Sequence, residues 1–333
     1  MSGVSPEVRR HARVVALGGG HGLHVTLSAL RRVVDDLTGV VTVADNGGSS
    51  GRLRQEFGVL PPGDLRMALA ALCSDDDWGQ TWARVLQHRF SSEGELGGHV
   101  VGNVLITALW ELLGENVLGL EWVGRLLAAE GRVLPMADVP LDIEADVRGL
   151  DASRPDDLAL VRGQAQVAVT PGTITSIRLV PEGSPANPAA VAAVRDADWV
   201  FLGPGSWYTS VLPHLMLDDL RAAVTGTAGR VVVVLNLPGH EGETAGYTSV
   251  DLLAAMVERA PDLRVHAVLA DQETVERAQG DGESLACAVA SLGGQLVLEE
   301  LTMGDGTPRH DPIKLAAACA RIIDGVEGSS AWR

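Results

Sequence analysis

Two glycine-rich turns carry the residue types in this chain that could do phosphate chemistry. Residues 18–23 read GGGHGL and residues 44–52 read ADNGGSSGR, and each comes straight after a β-branched run, RVVAL at 13–17 and GVVTVA at 39–44. Glycines at a strand-to-helix turn let the backbone fold tightly and present N–H groups, at the positive end of the helix, to a diphosphate. Gly18, Gly19, Gly20, His21 and Gly22 are therefore phosphate-contact candidates. Gly18 and Gly20 fit a dinucleotide fingerprint, but its third glycine position holds Leu23 and no P-loop lysine is present. A purely structural turn is the competing reading.

In the second stretch, Asp45 stands where a Rossmann-type protein places an acid for a ribose diol. The alternative for Asp45 is an Asx-turn that caps the chain reversal. Asn46 could share the hydroxyl-holding role, Gly47 and Gly48 leave amides accessible, and Ser49 and Ser50 add hydroxyls. Arg52 could complete a charge-assisted grip on a phosphate.

More such residues follow downstream. PPGDLR at 61–66 opens a helix with Asp64 as its N-cap candidate. Arg66 in the first turn opposes the helix dipole, and an anionic ligand would account for it. GGHVVGNVLITAL at 97–109 starts another helix, with His99 and Asn103 one turn apart and able to face one cleft. A lone histidine is more often structural, although histidine as a residue type is poised near neutral pH and His21 or His99 could serve as a base. GPGSWYTS at 203–210 offers Gly203, Gly205 and Ser206; NLPGHEGETAGYTS at 236–249 offers Asn236, Glu243 and Thr244.

The elements that must position these residues alternate. Strand patterns at 13–17, 39–44, 199–203, 230–237 and 264–270 are separated by helical spacing, and a last helix spans 313–323. Between 132 and 181 the pattern changes to short alternating runs broken by Gly and Pro, read as an antiparallel β insertion. The expected fold is α/β: a doubly wound, mostly parallel Rossmann-like sheet carrying that insertion. A single domain is expected over 13–325, with a nucleotide-binding half at 13–131, the insertion at 132–181 and a second half at 182–325. Residues 1–12 and 326–333 are expected to be tails. In such sheets, ligands bind outside the carboxyl ends of the strands, where all of the polar turns fall.

Composition narrows the partners. A formal charge of −17 over 333 residues argues against nucleic acid and anionic membrane. Arg52, Arg54 and Arg66 are a local reversal of sign beside glycine-rich segments. No apolar run approaches the ~20 residues of a membrane span. The polar, basic start lacks the core of a signal peptide, so a cytoplasmic location is expected. Cys73, Cys287 and Cys319 form no CxxC and read as small core residues in a reducing compartment; no metal cluster is expected.

The chain resembles the gluconeogenesis-factor family (YvcK-like), relatives of 2-phospho-L-lactate transferase (CofD-like). The resemblance spans nearly the whole chain through GGGHGL, VADNGGSSGRLRQEFGVLPPGDLR, GHVVGNVLITAL, GRVLP, ADWVFLGPGSWYTSVLP and PRHDPIKLA. It implies a Rossmann-like core, a cytoplasmic location and binding of a nucleotide sugar such as UDP-glucose or UDP-N-acetylglucosamine. It also implies a role in cell shape and cell-wall homeostasis on gluconeogenic carbon, which leaves room for a homo-oligomer and a cell-wall regulatory protein partner. Three positions depart from the family pattern. His21 replaces a usual Thr, Asn46 replaces a usual Asp, and PGHEGET replaces MTQPGET, so that only Gly242, Glu243 and Thr244 carry over. With Asn46 after Asp45, no two-carboxylate metal site is available within that pair. Binding by a regulatory protein is therefore the first reading. Transfer of a phospho-acyl group from a nucleoside diphosphate donor is the second, and NAD-dependent oxidoreduction the third.

Overall fold

Val14 to Gly18 are buried without a break, as a strand covered on both faces must be. The computed structural model describes residues 9–325 apart from 152, 155, 238–241, 245 and 278–280. The chain begins β1 (Arg10–Gly18), α1 (Gly20–Leu30) and β2 (Val34–Val41). Helices α2 (Gly48–Phe57), α3 (Pro62–Ala71), α4 (Asp77–Gln87), α5 (Val101–Leu113) and α6 (Asn116–Leu126) lead to β3 (Arg132–Pro135). A separate unit follows: β4 (Asp142–Arg148), β5 (Leu158–Arg162), α7 (Gln164–Ala168) and β6 (Thr173–Val180). The second half runs α8 (Pro188–Asp196), β7 (Trp199–Leu202), a π-helical turn (Trp207–Val211), α9 (Leu212–Met216), α10 (Asp218–Gly226) and β8 (Arg230–Val234). It ends with α11 (Ser249–Arg259), β9 (Ala267–Asp271), α12 (Gln272–Arg277), α13 (Asp281–Ser291), β10 (Gln295–Glu299) and α14 (Pro312–Asp324).

Seven strands form one parallel sheet in the order β10-β9-β8-β7-β1-β2-β3. Leu17 of β1 lies opposite Val40 on one side and Leu202 on the other. From β1 the chain winds outward through β2 and β3, then returns to build β7 to β10 in the opposite direction. The strand order therefore reverses between β1 and β7, where the loops at the carboxyl ends part and leave a crevice. Helix α1 covers this centre with Leu23, Leu27 and Leu30, buried at i, i+4 and i+7.

The α/β fold agrees with the expectation, and its boundaries differ in three places. Strand β1 begins at Arg10, which pairs with Val34 ahead of an irregularity that ends at Arg13, and Arg10 Nε donates to Asp324 at 2.6 Å. Residues 1–8 and 326–333, the rest of the expected tails, lie outside the described residues. Arg132–Pro135 belongs to the parallel sheet, in register with Thr38–Val41 of β2. A four-residue apolar run carries no sign of which partner it will find. The antiparallel sheet, in the order β5-β4-β6, is confined to Asp142–Val180 and alternates as expected, with Ile143, Ala145 and Val147 buried. Finally, ADNGGSSGR is a loop only up to Gly47, because α2 starts at Gly48. Among the cysteines, Cys73 and Cys319 are core residues, whereas Cys287 is exposed on α13. Among the described residues, no helix is long and apolar enough to cross a membrane.

Candidate functional site

The crevice between β1 and β7 holds a cavity of about 610 Å³, built on the first glycine turn and the turn after β7. The two turns are packed against each other. A Cβ on Gly22 would fall 2.1 Å from the carbonyl oxygen of Pro204, so only glycine permits this approach. Thr26 Oγ1 donates to both Gly22 O and Gly203 O at 3.1 Å, tying the turns from behind. Asn236, from the end of β8, clamps the second turn at both polar groups. Gly205 N donates to Asn236 Oδ1, and Asn236 Nδ2 donates to Gly205 O, each at 2.8 Å. Gly205 itself, at φ +138°, holds a backbone conformation that side chains rarely adopt.

The helix that begins in this cavity has no N-cap side chain, and its first amide, Gly20 N–H, donates to the Asp64 carboxyl. Gly19 is the N-cap of α1 and supplies no side-chain cap. Gly47, the N-cap of α2, likewise supplies none. By contrast, Asp76, Asn187, Thr248 and Asp311 cap α4, α8, α11 and α14 through their side chains. Uncapped N-termini of this length favour negative charge.

Two carboxyls line the same cavity, and both hold their protons unusually well. Burial pushes Asp64 up to about 7, aided by the neighbouring charge of Asp45; Thr42, the Gly20 amide and Arg66 pull the other way. Thr42 Oγ1 donates to Asp64 Oδ2 at 3.2 Å. Burial likewise pushes Glu243 up to about 7, against hydrogen bonds from the π-helical turn that include Tyr208 N–H at 2.9 Å. Near neutral pH, both are poised between donating and accepting a hydrogen bond.

A hairpin before α14 completes the wall. Thr302 pairs with His310, and Met303, Pro308, Arg309 and His310 line the cavity. Among the described lining residues, Arg309 is the one Arg or Lys. Its guanidinium is held loosely, 3.3 Å from Asp305, with Nε donating to Thr307 Oγ1 at 3.1 Å. His24 also lines the wall, and burial lowers its proton affinity while Nδ1 stays 3.0 Å from Met67 O.

The residues singled out in the sequence therefore divide. Gly19, Gly20, His21, Gly22, Asp64, Gly205, Ser206, Asn236, Glu243 and Thr244 line the cavity, while Gly18 and Gly203 lie just outside its lining. Asp64 is not an N-cap, because Pro61 takes that place and Pro62 opens the helix, which puts Asp64 inside the first turn. Asp45 accepts the Gly47 N–H at 2.8 Å, the local turn contact that was its alternative reading. Asn46 grips the insertion: its Oδ1 accepts from Ala165 N at 3.1 Å and its Nδ2 donates to Gln166 at 3.0 Å. Helix α7 also receives Glu243 N–H on Ala168 O, so the insertion links the turn after β2 to the turn after β8. Gly48 is exposed, with φ +48°.

Ser49 and Ser50 are buried. Ser49 Oγ accepts from Val100 N–H at 3.2 Å and from Asn103 Nδ2 at 3.1 Å, and lies 3.2 Å from His99 Nδ1. His99 and Asn103 do face one place, but that place is the buried seam between α2 and α5. Burial, then the charge of Arg52, lowers the proton affinity of His99. Arg52 donates to Gly97 O at 2.8 Å. Arg66 is buried beside these residues and forms no hydrogen bond to the described residues, its Nε enclosed. Burial, then Arg89, lowers its guanidinium to about 10. The expectation missed His24, Gln164, Ser210, Met303, Arg309 and His310. PRHDPIKLA was the signal that contained two of them.

A family model described as 2-phospho-L-lactate transferase CofD matches residues 14–288. The chain belongs to the CofD family. A similar protein from Mycobacterium tuberculosis, provisionally named gluconeogenesis factor, is 49% identical over 313 residues, 94% of this chain and 90% of that protein. The gluconeogenesis factor of Listeria monocytogenes is 34% identical over 318 residues, covering 93% of this chain and 95% of that protein. The crystal structure of a Bacillus halodurans protein, described as a member of the UPF0052 family, superposes with a TM-score of 0.80. It is 29% identical, and the match covers 93% of this chain and 99% of that one.

Proposed function

We propose that this CofD-family chain is a cytoplasmic regulatory protein that binds a nucleoside-diphosphate sugar, of the UDP-glucose or UDP-N-acetylglucosamine kind, in the crevice between β1 and β7. The observation that carries the reading is the 610 Å³ cavity at the reversal of strand order, with the uncapped start of α1 on one wall and Arg309 on another. That volume lies within the range of small-molecule sites. The diphosphate lies against the start of α1, and Arg309 exchanges Asp305 for a phosphate oxygen. Asp64, holding a proton near neutrality, donates to a ribose or sugar hydroxyl, and Glu243, protonated likewise, adds no charge against the anion. Ligand occupancy reports sugar-nucleotide supply, in keeping with the gluconeogenesis-factor name of its relatives.

Calorimetric titration with UDP-glucose and UDP-N-acetylglucosamine tests this reading. Saturable heat with one site per chain is the expected result. Absence of both heat and thermal shift at millimolar ligand overturns it.

The two carboxyls poised in one cavity, beside the exposed His21, favour a second reading: transfer of a phospho-acyl group from a nucleoside diphosphate donor to an alcohol. Release of free nucleotide from a donor–acceptor pair, lost in Asp64→Asn, supports transfer over binding alone. The NAD reading loses its anchor, because Asp45 is engaged by the Gly47 amide and lies outside the cavity lining.

A further inference from the structure

The start of α1, where the proposed site seats its diphosphate, already carries a carboxyl from another helix. Asp64 lies in the first turn of α3, and it accepts the Gly20 N–H at the head of α1. Thr42 Oγ1, from the turn after β2, donates to Asp64 Oδ2 at 3.2 Å. The carboxyl is pressed against the helix end. A Cβ on Gly19 would fall 2.5 Å from Thr42 Oγ1, 2.7 Å from Asp64 Oδ2 and 3.3 Å from Ser210 Oγ. Asp76, Thr248 and Asp311 each cap their own helix from its N-cap position. Helix α1 instead takes its acceptor from α3, and that acceptor lines the cavity. An anionic group is thus built into the place where a ligand's anion would go.

Two negative charges repel strongly there, because a crevice walled by protein screens them less than open water does. A proton on Asp64 removes the repulsion and supplies an O–H for the ligand. The surrounding groups decide how readily that proton is held. Burial and the charge of Asp45 favour it; Thr42, the Gly20 amide and Arg66 oppose it, and the balance lifts the carboxyl to about 7. From α1, His21 is exposed in the cavity wall, while burial lowers the proton affinity of His24. Glu243 lines the same cavity and is raised likewise, and Arg309 and His310 come from the hairpin before α14. Near neutral pH the crevice therefore contains both forms of Asp64, and only one of them suits the charge of a diphosphate.

We propose that Asp64 is an internal counterpart of the ligand's phosphate, and that the crevice accepts a nucleoside-diphosphate sugar only together with a proton bound at Asp64. This rests on the nucleotide-sugar reading of the crevice. The diphosphate of such a ligand does not titrate near neutrality, so a proton taken up on binding goes to the protein. Calorimetry with UDP-glucose at about pH 6, 7 and 8, in two buffers of unlike protonation enthalpy, counts those protons. Uptake at Asp64 rises from about a tenth of a proton at about pH 6 to nearly one at about pH 8. Kd weakens by up to about tenfold per pH unit above about 7. Asp64→Asn keeps an oxygen for the Gly20 N–H and an N–H for the ligand, but its charge cannot change. At about pH 8 it takes up nearly one proton fewer than the parent and binds about tenfold more tightly. That difference isolates Asp64 from Glu243 and the histidines, which are present in both proteins. Saturable binding with the same proton count in both overturns the inference and leaves the nucleotide-sugar reading standing. So does a parent that binds at about pH 8 without taking up a proton, whether or not the variant folds. Absence of heat from either protein at every pH overturns the nucleotide-sugar reading, and the inference with it.

Discussion

Replacing Glu243 by Gln should change how stability depends on pH, and the structure sets both sign and size. Glu243 is 5% exposed, and burial raises its carboxyl from the ordinary 4.5 to about 7. Below the lower value, both the folded and unfolded chains hold the proton and the group contributes nothing. Between the two values the folded chain keeps a proton that the unfolded chain has lost, so stability falls as pH rises; above about 7 the penalty is constant. At about 1.4 kcal/mol per tenfold change in proton affinity, the full penalty is roughly 3 kcal/mol. Gln retains an oxygen to accept the Tyr208 N–H, while its new amide donor replaces Glu243 Oε2, a buried atom without a partner. Any cost of that donor, about 1–2 kcal/mol, does not vary with pH. Asp64, raised in the same way, titrates in both proteins and cancels. Urea unfolding followed by tryptophan fluorescence, at about pH 5 and about pH 8, should show the Gln variant gaining roughly 2–3 kcal/mol on the parent between the two conditions. Stability profiles that remain parallel to within about 0.5 kcal/mol would refute the assignment of a buried, proton-holding Glu243.

Arg309→Ala should lower affinity for UDP-glucose by roughly tenfold or more in calorimetry, whereas Arg52→Ala, whose side chain serves Gly97 O, should change it less than about twofold. Ser49→Ala removes the oxygen shared by His99, Val100 and Asn103; it should cost about 2 kcal/mol in chemical denaturation and leave ligand affinity intact. If affinity collapses while stability holds, the seam is a ligand site after all. Gly22→Ala forces its methyl onto Pro204 O and should destabilise by about 2–3 kcal/mol while opening the crevice. Melting temperature and ligand titration of that variant report the two effects separately.

Much of the crevice's place in the fold is legible in the sequence, and much of its membership is not. Alternating β-branched runs and helical spacing are local properties, so the parallel α/β fold could be read from them, and with it the rule that ligands gather at the carboxyl ends of strands. Glycines 19, 20 and 22 could be read for the same reason, because a strand-to-helix turn needs them whatever surrounds it. The roles within residues 45–52 could not. One turn of helix beginning at Gly48 rotates Ser49 and Ser50 inward onto His99 and Asn103, residues about fifty positions away. A polar side chain with two feasible partners satisfies the one that packing brings to it, and only the α2–α5 contact decides which. Arg132–Pro135 shows the same dependence in the backbone, since an apolar tetrapeptide joins whichever strand edge the fold leaves open. Arg309 reaches the cavity because a hairpin nearly three hundred residues after the first glycine turn folds back over it. Periodicity and turn chemistry are thus written into neighbouring residues and survive being read one window at a time. Which side chains share a cavity, which acid keeps its proton and which arginine lines the crevice depend on desolvation and long-range contact, and those exist only once the chain has closed on itself.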